Sequence, residues 1–198
     1  MRLADIMIPD TAATRGALEV ATAYFSAAVL NHSVRSYLLG AAYGAMNDIA
    51  FDAELLYVTS MLHDIGMVKA FDSHTLPFEE AGGHVAWVFG AGAGWPIERR
   101  VRASEVIVRH MWNKMDVAQD PEGNLLDLGA GLDIAGRRLD EIPAQLLAEA
   151  TERYPRLGLS EEFAACFRDQ AERKPDSLGA AFVHAGVAER IEANPLDR

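Results

Sequence analysis

Residues 55–71 read LLYVTSMLHDIGMVKAF, an apolar segment followed by an adjacent histidine and aspartate, His63 and Asp64. The apolar residues recur at the spacing of an α-helix, and Gly66 is suited to the end of that helix. An imidazole and a carboxylate side by side, where a helix gives way to a glycine-containing turn, can face one cation together. This stretch therefore indicates a helical protein with a cation site at the end of an apolar helix.

The rest of the chain carries few strand signals, because alternating runs of β-branched residues are scarce. Helical spacing predicts an all-α protein, and with no repeat or linker to divide it we expect one domain over residues 1–198. The predicted helices cover 12–30, 33–49, 52–62, 77–93, 97–114, 143–154, 160–173 and 178–193. The Gly- and Asp-rich stretch 115–138 is expected to be functional or to contain short elements of its own.

Composition excludes several classes of partner. The 198 residues include 18 Lys and Arg against 29 Asp and Glu, a formal net charge of -11. Nucleic-acid binding and docking on anionic membranes both need basic surfaces, so we expect neither. The single cysteine, Cys166, cannot form an internal disulfide, which favours a cytoplasmic protein. A small-molecule substrate is the expected partner.

Two further residues complete a candidate metal site. His32 lies upstream in LNHSVRSY, between two predicted helices, and Asp133 lies downstream in GAGLDIAG. Two imidazoles and two carboxylates form a mixed nitrogen and oxygen ligand set that suits Zn²⁺, Fe²⁺ or Mn²⁺. We expect a divalent metal, with zinc as the first choice and iron or manganese as alternatives.

The order His32, His63-Asp64, Asp133 resembles the H…HD…D signature of the HD-domain metal-dependent hydrolase superfamily. The strings NHSVRSY, LHDIG, PFEEAGGH and LDLGAGLDIAG resemble its cyanamide hydratase-like group, over most of residues 9–137. The resemblance implies an all-α HD bundle with a central metal held by those four residues. It also implies addition of water to a small nitrile, with cyanamide giving urea as the named reaction. The helices of 138–198 could cover the pocket or form the interface of a homo-oligomer.

His84 and His110 leave the number of metals open. Their order in the chain resembles the ligand set of dinuclear HD proteins, in which both would bind a second metal. With a single metal, we expect both to line the pocket as hydrogen-bond donors or proton shuttles. The alternatives are therefore an HD phosphohydrolase acting on a nucleotide, a dinuclear-iron HD oxygenase, and a non-catalytic HD domain that senses a ligand.

Other side chains are predicted to act around the metal. Glu79 matches the glutamate of the family's string and would act as a base or bind a substrate amino group. Arg35 would bind substrate or pair with a buried carboxylate of the site. The predicted catalytic residues are Asp64, Glu79, His84 and His110, and the predicted substrate-binding residues are Arg35, Phe78 and Trp112. An apolar lid over a small pocket is expected from Phe78, Trp87, Trp95 and Trp112.

Overall fold

The computed structural model describes residues 1–112 and 115–197. These ranges contain helices and no strand, which confirms the predicted all-α fold. None of the described helices is both long and apolar enough to cross a membrane. The helices are α1 (Ala12–Tyr24), α2 (Ala27–Met46), α3 (Ala53–Leu62), α4 (Phe78–Gly92), α5 (Ile97–Arg109), α6 (Pro121–Ala135), α7 (Ala144–Arg153), α8 (Leu159–Arg173), α9 (Leu178–His184) and α10 (Val187–Glu192).

Helices α2 and α6 cross with their backbones in direct contact. A Cβ atom at Gly129 of α6 would lie 2.1 Å from the carbonyl oxygen of Ser36 in α2, and one at Gly40 of α2 would lie 2.5 Å from a backbone oxygen of α6. Only glycine permits so close an approach, since any other residue carries a Cβ atom. The crossing brings His32 of α2 beside Asp133 of α6, although 101 residues separate them in the sequence.

Helix α3 is buried in the middle of the main apolar core. Every residue from Leu55 through Leu62 is buried, so this helix has no solvent-facing side. After His63, the chain enters a short 3-10 turn, Ile65–Met67. A Cβ atom at Gly66 would lie 2.0 Å from the carbonyl oxygen of Phe78, so glycine lets this turn pack against the start of α4. The histidine and aspartate that follow α3 are therefore held inside the protein.

The C-terminal helices α8 and α10 join α4 and α6 in a second apolar cluster. This cluster includes Phe78, Met111, Ile134, Leu159, Phe163, Phe167 and Ile191. The segment 138–198 carries none of the motifs, but its helices cover the side of the bundle on which the ends of α3 and α6 meet.

Two predicted helices are broken in the structure. The helix predicted over 12–30 ends at Tyr24, because Phe25 is extended and the Ser26 side chain caps a new helix. As a result α2 begins earlier than predicted, and His32 lies within it rather than between helices. The helix predicted over 178–193 is divided by Gly186, whose φ of 79° is left-handed.

The stretch 115–138, where no long helix is predicted, contains the 15-residue helix α6. Its start is set by Asp120, whose carboxylate accepts a hydrogen bond from the backbone N–H of Gly123, and by Pro121 in the first turn. Its end is set by Gly136 in the left-handed conformation. The helix predicted over 97–114 ends at Arg109, and its last two predicted positions lie outside the described residues.

Candidate metal centre

The side chains of His32, His63 and Asp64 converge at the buried end of α3. The Nε2 atoms of the two histidines are 3.2 Å apart. Asp64 Oδ2 lies 3.0 Å from Nε2 of His63 and 3.4 Å from Nε2 of His32. All three side chains are almost fully buried. Among the described residues, this is the group of three metal-ligating side chains whose ligand atoms lie within 4.8 Å of one another.

Hydrogen bonds on the far side of each ring select the tautomer of both histidines. His63 Nδ1 donates to the carbonyl oxygen of Ser60 at 2.8 Å, and His32 Nδ1 donates to Asp133 Oδ2 at 2.7 Å. In its neutral form, each ring then points an Nε2 lone pair toward the other ring and toward Asp64. Asp64 Oδ2 is buried without a hydrogen-bond donor in the described part of the chain. Three acceptors that face one another are stabilised by a cation, and this nitrogen and oxygen set fits a divalent metal.

The charges around the three groups favour a cation as well. Burial works to lower the pKa of His32, but the adjacent carboxylates of Asp133 and Asp64 raise it above its ordinary value. Burial works to raise the pKa of Asp64, but the neighbouring imidazoles of His63 and His32 hold it well below its usual range. Asp64 therefore remains ionised, and a metal ion competes with a proton for Nε2 of His32.

Asp133, the predicted fourth ligand, lies behind His32. Its carboxylate is fully buried and contacts Nδ1 of His32, on the side of the ring opposite the three converging acceptors. Arg35 occupies both of its oxygens, with Nε at 2.7 Å and Nη2 at 2.8 Å. Burial favours the neutral acid, but Arg35 and His32 hold the pKa of Asp133 well below its usual range. In this geometry Asp133 orients His32 and lies outside the group of three converging ligand atoms, so its role as a fourth ligand stays a prediction.

Arg35 is fully buried and is not among the side chains that line the cavity next to the three converging groups, so its position does not support the expected contact with substrate. Besides Asp133, its guanidinium donates to the carbonyl oxygen of Tyr154 at 2.6 Å. The structure agrees with the alternative expectation, in which Arg35 pairs with a buried carboxylate, here that of Asp133. Two supporting residues escaped the sequence analysis: Arg156 donates to the backbone carbonyl of Asp133 at 2.6 Å, and Asn194 donates to the same oxygen at 2.8 Å.

His110 follows the last residue of α5 and stands beside the three converging groups. Its ring centre is 5.1 Å from that of His63, and its Nδ1 donates to the carbonyl oxygen of Ile107. Burial, reinforced by the nearby His63, lowers the pKa of His110 to about 4. The ring is therefore neutral near pH 7 and presents its Nε2 lone pair as a proton acceptor.

His84 and Glu79, which are expected to act in the pocket, both lie outside its lining. His84 is exposed on the outer face of α4. The opposite face of this helix is buried and includes Ala81, Gly82 and Ala86. It therefore cannot share a metal with the buried histidines. Glu79 is buried, and burial raises its pKa, but its side chain is not among those that line the cavity next to the metal site.

The expected aromatic lid is not formed by tryptophans. Trp112 is 45% exposed and lies against the guanidinium of Arg109 at 5.6 Å. Trp87 is exposed, and Trp95 is buried in the main core. Of the four predicted side chains, Phe78 lines the cavity.

A cavity of about 290 Å³ opens from the converging groups toward the surface. His32, His63, Asp64 and His110 border its inner part. Its walls are mainly apolar and aromatic, and they are formed by Phe78, Met111, Ala130, Ile134, Phe163, Phe167, Phe182 and Val187. The remaining charged side chains in the lining are Asp127, Arg137 and Arg190, and Arg137 is paired with Asp127 at 2.8 Å. The inner end thus combines metal ligands, a neutral imidazole and an apolar wall.

Comparisons with known proteins agree with this architecture. Residues 29–150 match the sequence profile of the HD domain family. Two cyanamide hydratases of Saccharomyces cerevisiae, DDI2 and DDI3, are each 31% identical to this chain over 183 residues. Each alignment covers 88% of this chain and 81% of the yeast protein.

Proposed function

Because this chain belongs to the HD-domain family and is a metal-dependent hydrolase or hydratase, we propose that it adds water to the carbon–nitrogen triple bond of a small nitrile. Cyanamide, which would give urea, is the proposed test substrate, and zinc is the proposed metal. The observation that carries the proposal is the cluster of His32, His63 and Asp64 at the inner end of an apolar cavity. The similarity to two cyanamide hydratases supports it.

Different residues of this chain would have separate roles in the hydration. His32, His63 and Asp64 would hold the metal, which when bound supplies a Lewis acid that acidifies water and polarises a nitrile. Nε2 of His110 would accept a proton from the attacking water and return a proton to the nitrile nitrogen, since this ring is neutral and borders the same space. Phe78 and Phe163 lie against His110 and His32 and would exclude bulk water.

The charges of the site favour a neutral substrate over a phosphate ester. A phosphohydrolase needs arginine or lysine side chains directed at the phosphoryl oxygens. In the described residues, Arg35 is committed to Asp133, Arg137 in the lining is paired with Asp127, and Arg190, also in the lining, donates to the carbonyl oxygen of Ala185 at 2.8 Å. The exposed position of His84 likewise removes one of the two expected ligands of a second metal.

Metal analysis combined with a urea assay tests the proposal. Protein purified without added metal is analysed for its elements and then assayed for urea release from cyanamide with zinc, iron or manganese. We expect about one divalent ion per chain and urea formation that a chelator abolishes. His63→Ala should lose both metal and activity, whereas His84→Ala, the matched change at an exposed histidine, should retain both. Absence of urea with every metal would refute the cyanamide assignment, and two metals per chain would support the dinuclear alternative.

A further inference from the structure

The cavity beside the metal centre is much larger than cyanamide. Its volume is about 290 Å³, near the lower end of the roughly 300–1,000 Å³ range of pockets that bind drug-sized ligands. A single water needs only about 10–15 Å³ on a comparable measure, and cyanamide has just three non-hydrogen atoms. Cyanamide would therefore leave most of this space unfilled.

The chemistry of the walls indicates what would fill the remainder. Apart from the histidines and Asp64, the lining consists mainly of aromatic and aliphatic side chains, and its other charged members are Asp127, Arg137 and Arg190. An apolar cavity of about 150 Å³ is already sufficient to bind a benzene ring. The space next to the ligands thus has the size and polarity for an aromatic or branched aliphatic group.

Much of this wall comes from the C-terminal helices. Phe163 and Phe167 of α8, Phe182 of α9 and Val187 of α10 all lie beyond residues 29–150, the part of the chain that matches the family profile. Phe163 packs edge-to-face on the ring of His32, with ring centres 5.3 Å apart, and Phe167 packs on Phe78. These contacts make the apolar wall continuous with the metal ligands.

We propose that the preferred substrates are nitriles with an apolar body, in particular cyanamides that carry an aryl or alkyl group on the amino nitrogen. This inference rests on the proposed hydration of a nitrile. The oxygen of one water bonds to the nitrile carbon, a π bond of the triple bond is lost, and both water hydrogens finish on the former nitrile nitrogen. The product is an N-substituted urea, and nothing is oxidised or reduced.

The experiment compares phenylcyanamide with cyanamide on the intact metal-loaded protein. Burial of a phenyl-sized group favours binding by about ten- to a hundredfold. Phenylcyanamide should therefore show a KM at least about tenfold lower than that of cyanamide. Phenylurea should inhibit competitively, at concentrations at least about tenfold lower than urea does. Calorimetric titration with phenylurea gives a second readout that requires no turnover.

A pair of matched variants locates the effect in the cavity. Val187→Phe introduces a ring into the lining and should lower kcat/KM for phenylcyanamide, relative to that for cyanamide, by about tenfold or more. Val88→Phe makes the same change at a 66% exposed position of α4 and should leave this ratio unchanged. The fraction of active enzyme cancels in the ratio of two substrates on one protein, and the intrinsic reactivities of the two substrates cancel when the ratio of a variant is divided by that of wild type.

The outcomes separate this inference from the proposed function. Hydration of cyanamide with an equal or higher KM for phenylcyanamide, or an unchanged ratio in Val187→Phe, would overturn the inference and leave the hydratase proposal intact. Failure to hydrate either compound would overturn both. Where hydration is observed, tight binding of phenylurea that Val187→Phe weakens and Val88→Phe does not would support the inference by a second readout.

Discussion

The contact between α2 and α6 predicts a large difference between two Gly→Ala substitutions. At Gly129 the new Cβ atom would lie 2.1 Å from the carbonyl oxygen of Ser36, where ordinary contact begins at 3.4 Å. The obstacle is backbone, so the two helices must separate by more than about 1 Å. At Gly92, the last residue of α4, a Cβ atom meets nothing within 4 Å. The same methyl group is therefore added once at a tight helix contact and once in open space.

The expected magnitudes follow from these distances. Overpacking a close-packed interior costs about 1–3 kcal/mol, and an obstacle made of backbone places Gly129→Ala at the upper end. The better helix propensity of alanine offsets up to about 1 kcal/mol, so the net loss should be about 2 kcal/mol or more. Gly92→Ala has only the favourable contribution and should be neutral or slightly stabilising. The changes in unfolding free energy caused by the two substitutions should thus differ by at least about 2 kcal/mol.

Urea denaturation followed by circular dichroism measures the difference. With a slope of about 1–3 kcal/mol per molar urea, the midpoint of Gly129→Ala should fall by about 1 M. Because separation of α2 from α6 also draws His32 away from Asp133, zinc binding to the folded Gly129→Ala protein should weaken. If Gly129→Ala proved as stable as Gly92→Ala, the backbone contact inferred at the α2–α6 crossing would be wrong.

Two further predictions concern the buried polar groups. Arg35→Met leaves the buried Asp133 carboxylate without its main partner, and the loss in unfolding free energy should be about 3–5 kcal/mol at pH 7. The pKa of Asp133 is lower in the folded protein than in the unfolded chain, where it is about 3.9. This stabilisation is therefore fully present at pH values above about 3.9 and is lost as the pH falls toward the pKa of the folded state. Wild type and variant should therefore converge in acid, and a pH-independent difference would contradict the assigned ion pair. His110→Gln should lower kcat by about 10²–10⁴-fold at unchanged metal content, while His84→Gln, at an exposed position, should leave kcat unaltered. Equal effects of the two substitutions would exclude His110 from proton transfer.

The sequence predicts the helical class and the adjacent His63 and Asp64 at the end of an apolar helix, because both depend on local pattern, whereas the addition of His32 follows from the family resemblance. Residues 53–62 are mostly apolar, which indicates an apolar helix that ends at His63 and Asp64; its complete burial from Leu55 through Leu62 is seen only in the structure. The segment containing α6 was not predicted as a long helix, because its glycines suggest loops. In the folded protein Gly129 instead provides a contact surface for α2. The cap formed by Asp120 and Pro121, with Gly136 at the other end, is the signal that could have identified this helix.

The remaining features of the site depend on contacts that no local pattern records. His84 and His110 look alike in sequence, since each lies in or beside a helix between the same motifs. Their roles separate because α4 turns His84 outward, whereas His110 follows α5 into the interior. Arg156 and Asn194 lie 23 and 61 residues from Asp133, in a segment without motifs, and only tertiary packing brings them to its carbonyl oxygen.

The pairing of Arg35 with Asp133 determines the charge that a metal would experience. Two buried carboxylates lie near the site, but the guanidinium of Arg35 compensates the charge of Asp133. Among residues 1–112 and 115–197, the ion-pair partners of Asp64 are the two histidines alone. A divalent ion held by two neutral imidazoles and one carboxylate keeps a net positive charge, which favours the deprotonation of nearby water. If Asp133 were free to add its charge, that excess would be cancelled. Arg35 would therefore contribute to the reactivity that we propose without lining the cavity: it holds Asp133 in place to orient His32 and compensates the charge that Asp133 would otherwise add to a metal.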